Sequence, residues 1–566
     1  MPRSVTGVQL MQGVGVQESK GLWAEAWQKV LSQPRSVLSL AWISTVAFFA
    51  LFAPILASGH PILFTVTSPD GASTTTSPLL RNLSLADALL AVGGLAAIIL
   101  LITPLARFKL TFGGKLGIIL AAFAQGAVAV ILTAVLRGYV EQRELPRWVL
   151  DLRDAQSFKP AAAGAIALLS AILFVWIPTF TSLAKRAGFV LVVAAVLGVA
   201  IASTWRAPIQ TFPYRDLQAT QDAKATYTIV PWSPTQRGTN LRLLPPGSDT
   251  TTPDRLAFIE GRLREVRAQA RTEGQARIAA AADQARADAL AQGRSPGVAE
   301  RRANDARAAE RRAVESAATD RVLPAILREA DTKYPATDQA SFMVGTDAIG
   351  QDVLSNLLHA CRLSISIGLV STGIAVVIGV TIGALMGYFG GWIDIILFRV
   401  VETFMAIPVL FLLIVAAAVL PKNTYVMMAI IGCVTWTGTA RFTRAEFMRL
   451  RNQDFVQAAK ACGLPLRSIL FRHMLPNGVT PVLVDASFAI AAAIQIEVVL
   501  SFLGLSPAEQ PSWGRLLASA TNEVGDFKWW LAIFPGAAIF LTALSYNVLG
   551  ESLRDAMDPK LKKARV

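Results

Sequence analysis

Hydrophobic residues gather in ten runs along the chain and thin out in one long stretch between the fifth run and the sixth. The runs cover about residues 37–57, 85–105, 115–136, 161–182, 188–204, 363–387, 396–420, 424–440, 480–503 and 529–549. A membrane-crossing helix needs about 20 apolar residues, because a rise of about 1.5 Å per residue must cover about 30 Å of hydrocarbon. The pattern therefore predicts an all-α polytopic bundle of about ten transmembrane helices. The first run is longer than the apolar core of a secretory signal and begins late, and Ala57-Ser58-Gly59 makes a poor cleavage site. It is expected to stay as a membrane anchor.

The hydrophilic stretch, about 205–360, divides in two. Residues 205–253 are rich in Pro, Gly, Thr and Ser and are expected to be irregular. Residues 254–333 are rich in Ala, Arg and Glu, with Leu256, Ile259, Leu263, Val266 and Ala270 at the 3-4-3-4 spacing of one helix face. The run from Gln292 to Gly297 breaks that pattern, and a second Ala/Arg helix continues to about Glu329. This predicts a helical hairpin. It reads either as a contact arm for a binding protein or as a solvated stalk, since alternating charge on a helix usually marks a wet face.

Lysines and arginines in the short loops set the orientation. With residues 1–36 in the cytoplasm, the inner side holds Lys29 and Arg35, then Arg107, Lys109 and Lys115, then Lys185 and Arg186. It also holds a cluster from Arg441 to Arg472 and the tail Lys560 to Arg565. Ten crossings return the C-terminus to the same side and put 205–360 outside. The segment Arg137 to Lys159 dissents, being partly basic yet external, although Glu141, Glu144, Asp151 and Asp154 offset its charge.

Composition agrees. Hydrophobic residues make up 53% and charged residues only 16%, against about 25% charged in a soluble domain. The net charge of +14 is then read as basic loops facing the cytoplasm and anionic membrane lipid, not as a nucleic-acid surface. Cys361, Cys433 and Cys462 lie too far apart for a metal motif or a disulfide framework. No phosphate-cradling G-x-x-x-x-G-K-[ST] loop occurs and no G-x-S-x-G elbow. The histidines, His60, His359 and His473, form no H-E-x-x-H pattern. No catalytic residues, no metal site and no resident cofactor are expected.

The segment 441–478 carries the most specific chemistry. Asp454 is placed to cap a short helix with Gln457 completing a capping box, and Gly463 followed by Pro465 is placed to end it. The enclosed turn from Phe455 to Cys462 is small and apolar over much of its surface. Such a helix could dock in a groove of another protein or serve as a connector lying on the membrane; the residues alone leave both open. Within the ninth run, Glu497 and Gln495 are candidates for a translocation path, with Asp485 weaker. An acid at the centre of a span costs about 2.5–3.5 kcal/mol, so Glu497 must meet water or a partner, in a pore or in a structural hydrogen bond.

The segment resembles the EAA loop of ABC importer permeases, E-A-A then three residues, Gly, nine residues and I-x-L-P. Gln457-Ala458-Ala459 stands for E-A-A, Gly463 fits, and Leu475-Pro476 fits. Gln457 replaces the acid, and Arg472-His473-Met474-Leu475-Pro476-Asn477 is similar to the RHILPN ending of the dipeptide/oligopeptide branch. Further blocks follow in that branch's order. Gly345 to Leu354 resembles G-T-D-x-x-G-R-D-V-L with Gln351 for Arg, and Gly387 to Trp392 resembles G-Y-Y-G-G-W. Leu500 to Leu505, Pro511-Ser512-Trp513-Gly514 and Asn547 to Pro559 also fit, and Pro231 to Pro246 resembles the lead-in of extended members.

The resemblance covers 340–560 densely and 205–250 thinly. It implies half of an alternating-access pathway for peptides, paired with a second permease subunit and served by an extracytoplasmic substrate-binding protein. Two ABC ATPases would use ATP and Mg and pull on the coupling residues Asp454, Gln457, Ala458, Ala459, Gly463, Leu475 and Pro476. The branch also includes permeases for nickel, glutathione and peptide antibiotics; a scaffold or sensor is a further alternative. Typical members have six spans. Here 188–204, or less readily 37–57, is expected as the first of them, leading into 205–253, with 37–187 holding four additional helices and 254–333 an added insert.

Overall fold

A computed structural model describes residues 22–67, 73–103, 112–140, 158–175, 183–204, 214, 223–335, 341–507, 510–521 and 527–557. Several basic residues used to orient the chain (Arg107, Lys109 and the tail from Lys560), the acidic segment 141–154 and Asp558-Pro559 lie outside them. The chain forms two compact units, 1–234 with 355–566, and 235–354.

The first unit begins with α1 (Leu22–Leu31) and α2 (Pro34–Leu56). After β1 (Leu63–Thr67), β2 (Ser73–Thr76) and the short α3 (Pro78–Asn82) come α4 (Leu85–Ile102), α5 (Phe112–Val140), α6 (Phe158–Phe174) and α7 (Leu183–Thr204). β3 (Ala223–Thr226) pairs with β1, giving an antiparallel sheet of order β2-β1-β3. Sequence pattern did not foresee these strands: they are four or five residues long, and β1 and β3 lie far apart in the chain.

The second unit holds α8 (Thr252–Glu273), α9 (Gln275–Ala291) and α10 (Pro296–Lys333). α8 and α9, broken at Gly274, run back along the single α10, so the insert is a helical hairpin stapled by Arg271–Glu315 and Arg277–Glu310 ion pairs. Ala270, Ala282, Ala299 and Ala303 are buried in the seam. Leu256, expected on the buried face, is 49% exposed. The hairpin leaves from a closed neck: Phe342 N–H donates to Ser248 O (2.6 Å), and Gly247 N–H to Phe342 O (2.8 Å). Thr346 reinforces the neck, its hydroxyl accepting from Leu244 N–H and donating to Leu241 O.

The first unit then continues with α11 (Val353–Phe389), α12 (Gly391–Ala406), α13 (Val409–Val419), α14 (Thr424–Thr435) and α15 (Thr437–Leu450). It ends with α16 (Asp454–Ala461), α17 (Leu475–Phe502), α18 (Trp513–Ser519) and α19 (Trp529–Met557). Among the described residues seven helices are long and apolar enough to cross a membrane. An eighth span results if α12 and α13, bent by 82°, count as one; α6 and α14 are shorter. Each predicted apolar run is largely helical where it is described, but the count of ten spans exceeds what length and composition alone support.

Run 188–204, or less readily 37–57, was expected to open the permease-like part; α7, which holds 188–204, packs on α6, α5 and α4. Ala163, Ile166 and Leu197 share one buried cluster there. The helix that joins the C-terminal spans is α2. Val46 and Ala50 pack with Ala360, Cys361 and Trp513, and Trp42 Nε1 donates to Thr542 Oγ1 (3.0 Å). At one end of the bundle Ser36 bonds Ser552 (2.7 Å), Arg35 pairs with Asp555 (3.3 Å) and Lys29 donates to the Asp555 carbonyl (2.6 Å). At the other end Ala57 O meets His359 Nε2 (2.9 Å) near the start of α11. Arg362 of α11 donates to Ala50 O (3.1 Å) and pairs with Asp87 of α4, which ties the four added helices to the rest.

Candidate functional site

The segment 441–478 rests on α15, and α15 is seated against α11 by a stripe of glycines. A Cβ at Gly379 would stand 2.7 Å from Thr439 Cβ. One at Gly383 would stand 2.5 Å from Ala440 O, and one at Gly387 2.6 Å from both Arg444 O and Phe447 Cβ. Only hydrogen fits at these three positions, so the two backbones touch along a G-x-x-x-G-x-x-x-G seam. Polar bonds fix the rest of α15. Arg444 makes a bidentate pair with Asp394 of α12 (2.5 and 2.7 Å) and lies over the Phe398 ring. Bonding to that carboxylate pushes the guanidinium pKa up, so the charge is permanent. Thr439 Oγ1 donates to Asp485 of α17 (2.6 Å).

The eight-residue α16 lies on this base. Val456 and Ala459 are buried with Phe447, Leu450, Ile469, Leu470 and Met474. Asp454, Phe455, Gln457 and Ala458 are exposed. Lys460 reaches over the Tyr388 ring at 4.9 Å. Gly463 ends the helix at φ +67°. Its N–H donates to Lys460 O (2.9 Å) and Leu464 N–H donates to Ala459 O (3.2 Å), the two bonds of a Schellman turn. The expected capping box is absent. Gln453 occupies the cap position without a side-chain bond, Asp454 is the first helical residue, and the Gln457 amide reaches back to Arg451 O (2.9 Å). Asp454 still places a negative charge on the positive end of the helix dipole.

A π-helical turn, Ile469–Met474, leads into α17. Pro476 lies in the first turn of α17, where a missing N–H costs least. Leu475 packs partly buried against the loop's core. The structure thus brings residues between Asp454 and Pro476 onto one buried core, with Phe455, Leu464, Leu466 and Phe471 exposed.

Glu497 and Gln495 lie elsewhere, near the far end of α17. Glu497 is fully buried, and its Oε1 accepts from Ser501 (2.5 Å) and Ser512 (2.8 Å). Ser512 also caps α18, its hydroxyl oxygen accepting from Gly514 N–H (3.1 Å). Trp513, beside it, is 1% exposed and donates to Leu357 O (3.1 Å). The blocks around Leu500–Leu505 and Pro511–Gly514 are therefore one packed joint. Gln495 is exposed. Sequence reading missed the glycine stripe and the Asp394–Arg444 pair. The stripe was visible as glycines four apart; the pair joins residues fifty apart and leaves no local signal.

The family described as binding-protein-dependent transport system inner membrane component matches residues 379–563. The oligopeptide transport system permease protein OppC of Haemophilus influenzae is 38% identical over 217 residues, 38% of this chain and 70% of that protein. The dipeptide transport system permease protein DppC of Alkalihalophilus pseudofirmus is 34% identical over 224 residues, 39% of this chain and 73% of that protein. The glutathione transport system permease protein GsiD of Pectobacterium atrosepticum is 36% identical over 220 residues, 39% of this chain and 73% of that protein. With its stacked apolar helices and a match across two thirds of such relatives, the chain belongs to the binding-protein-dependent transport system inner membrane component family: it is a multi-pass helical transport subunit of the inner membrane, not an ATPase.

Proposed function

We propose that this chain forms half of the translocation pathway of an ABC importer for peptides and that α16 is its contact with an ATPase. The observation that carries the proposal is the division of α16 into two faces. Val456 and Ala459 fix it to the chain's own core, while Phe455, Gln457 and Ala458 remain open. The relatives named for oligopeptides, dipeptides and glutathione support a peptide substrate, glutathione being itself a small peptide. The partners are a second permease subunit, two ATPases that use ATP and Mg, and an extracytoplasmic binding protein. A difference in how α16 contacts the ATPases in their open and closed states would bias the gate.

Both termini lie in the cytoplasm in this reading. The contacts of α1 and α2 with the end of α19 support a common side for them. The joint of α17 with α18, beside the start of α11, supports the opposite side for 205–360. Ten crossings follow if α6, the bent α12–α13 and α14 with the first turn of α15 each cross once. Cysteines placed singly at 290 and 457 and labelled from outside test this; reaction at 457 but not at 290 would overturn it. α2, by its packing, serves as the first span of the permease core. Glu497 serves the α17–α18 joint, not the pore. Gln495, being exposed, is the better candidate for the pathway.

The decisive experiment is ATP hydrolysis by the reconstituted complex with and without binding protein and substrate. Ala458→Trp and Gly463→Val should assemble yet lose stimulation. A valine at Gly463 strongly resists positive φ. Full stimulation in both variants, at normal assembly, would sink the assignment of α16.

A further inference from the structure

Away from α16, the added helices α4 and α7 border, with α2, β2 and α3, an open cavity that the proposed transport role does not use. It has a volume of about 650 Å³ and lies where the C-terminal end of α2, the N-terminal half of α4 and the C-terminal end of α7 meet β2, α3 and Tyr214. Its wall is divided by chemistry. One side is apolar: Ile55, Leu80, Leu83, Ala88, Ala91 and Val92. The other carries Ser77, Arg81, Ser203, Thr204 and Tyr214.

One charged group on that side is unspent. Among the described residues Arg81 has no carboxylate partner, and its charge acts on the Tyr214 phenol. The apolar side does not stop at the cavity. Val92 (59% exposed) continues down α4 into Leu95, Ile99 and Ile102, an exposed stripe at 3-4-3 spacing. The cavity lies at the ends of apolar spans, so the stripe runs into the depth of the membrane and the guanidinium sits at its surface.

We infer that this cavity holds a phospholipid, its phosphate on Arg81 and one acyl chain along Val92, Leu95 and Ile99. A guanidinium offers paired donors that match phosphate oxygens. The apolar groove takes one acyl chain. A soluble anion would satisfy Arg81 but would leave the apolar wall wet, and a bare hydrocarbon would leave the Arg81 charge without an anion.

The test is lipid retention by the purified full-length protein. After delipidation in detergent it is titrated with phosphatidylglycerol, and separately with inorganic phosphate, and bound species are counted by native mass spectrometry. The wild type should retain one phosphatidylglycerol after other lipids are stripped, and inorganic phosphate should not bind. Arg81→Gln removes the charge at an exposed position, and Ala88→Trp fills the apolar side. Each should weaken retention by roughly tenfold or more, while Arg81→Lys keeps part of it. Equal retention by the wild type, Arg81→Gln and Ala88→Trp would overturn the inference, as would inorganic phosphate binding as tightly as the lipid. Because Arg81 is exposed, its Gln and Lys variants should fold alike, so a difference between them reports the phosphate contact.

Discussion

Replacing Gly383 by Ala adds one methyl group to the seam of α11 and α15 on which α16 rests. That methyl would stand 2.5 Å from Ala440 O and 2.7 Å from Thr443 Cβ. Carbon–oxygen contacts ordinarily lie at about 3.3–3.6 Å and carbon–carbon contacts at about 3.5–4.0 Å, so α11 and α15 would have to part by roughly 1 Å there. A side chain could swing aside, but Ala440 O is helix backbone and cannot. Overpacking of this kind costs about 1–3 kcal/mol, a large share of a stability of about 5–15 kcal/mol. Gly373 supplies the control on the same helix, because a Cβ there would meet nothing within 4 Å. Reversible unfolding in mixed detergent micelles should place Gly383→Ala well below Gly373→Ala, and substrate-stimulated ATP hydrolysis should fall with it because the base of α16 has moved. If the two variants unfold within about 0.5 kcal/mol of each other, the level of an ordinary surface change, the seam is not close-packed and the argument fails.

Ala459→Trp should destabilise the loop itself, since Ala459 is buried; protease sensitivity of 450–475 should rise, unlike in Ala458→Trp. Removing 254–333 and bridging the ends with a few Gly and Ser residues should leave expression and membrane insertion unchanged, because the Ser248–Phe342 neck closes without the hairpin; loss of the protein from the membrane would refute this. Glu497→Leu should lower stability by about 1–3 kcal/mol by orphaning Ser501 and Ser512, while Glu497→Gln, still an acceptor, should cost less; equal losses would count against the hydrogen-bond role. His60 is buried and its pKa is held below the ordinary value by desolvation. Its neutral form is the one the fold keeps, so its contribution is complete above the unfolded pKa of about 6.5 and is lost as pH falls through the lower folded value. Thermal unfolding from about pH 7.5 down to about pH 5.5 (about one unit either side of that value) should drop more for the wild type than for His60→Gln; parallel curves would refute it.

The apolar runs were legible because a span is a local property of about 20 residues. The turn at Gly463 was legible for the same reason, a glycine needing φ > 0 followed by a proline two residues on. An eight-residue helix is another matter. It makes barely two turns, too few for periodicity to tell the face of Ala458 from that of Ala459, and the helix began one residue earlier than the capping pattern suggested. Which span joins the permease core was not legible at all. The sequence reading placed 188–204 ahead of 37–57, whereas Trp42 of α2 meets Thr542, and those residues are five hundred positions apart. The small sheet was hidden likewise, since β1 finds β3 only after the four added helices have intervened.

Because α2, and not α7, packs with the C-terminal spans, α4 to α7 lie in chain order between two segments of one packed bundle. An interruption of a membrane chain is constrained by parity. A segment spliced into a loop on one face must return to that face, or every later helix is inverted and α16 emerges on the wrong side. α4 through α7 obey this: α4 starts beside Arg362 near the start of α11, and α7 ends against the same cavity that Ile55 of α2 and Arg81 line. An even number of helices is thus the smallest kind of unit that such a permease can acquire in that loop without redesigning every later span. Variants with one of the four deleted should be lost to misinsertion, where a variant with a neighbouring pair deleted can keep its sidedness.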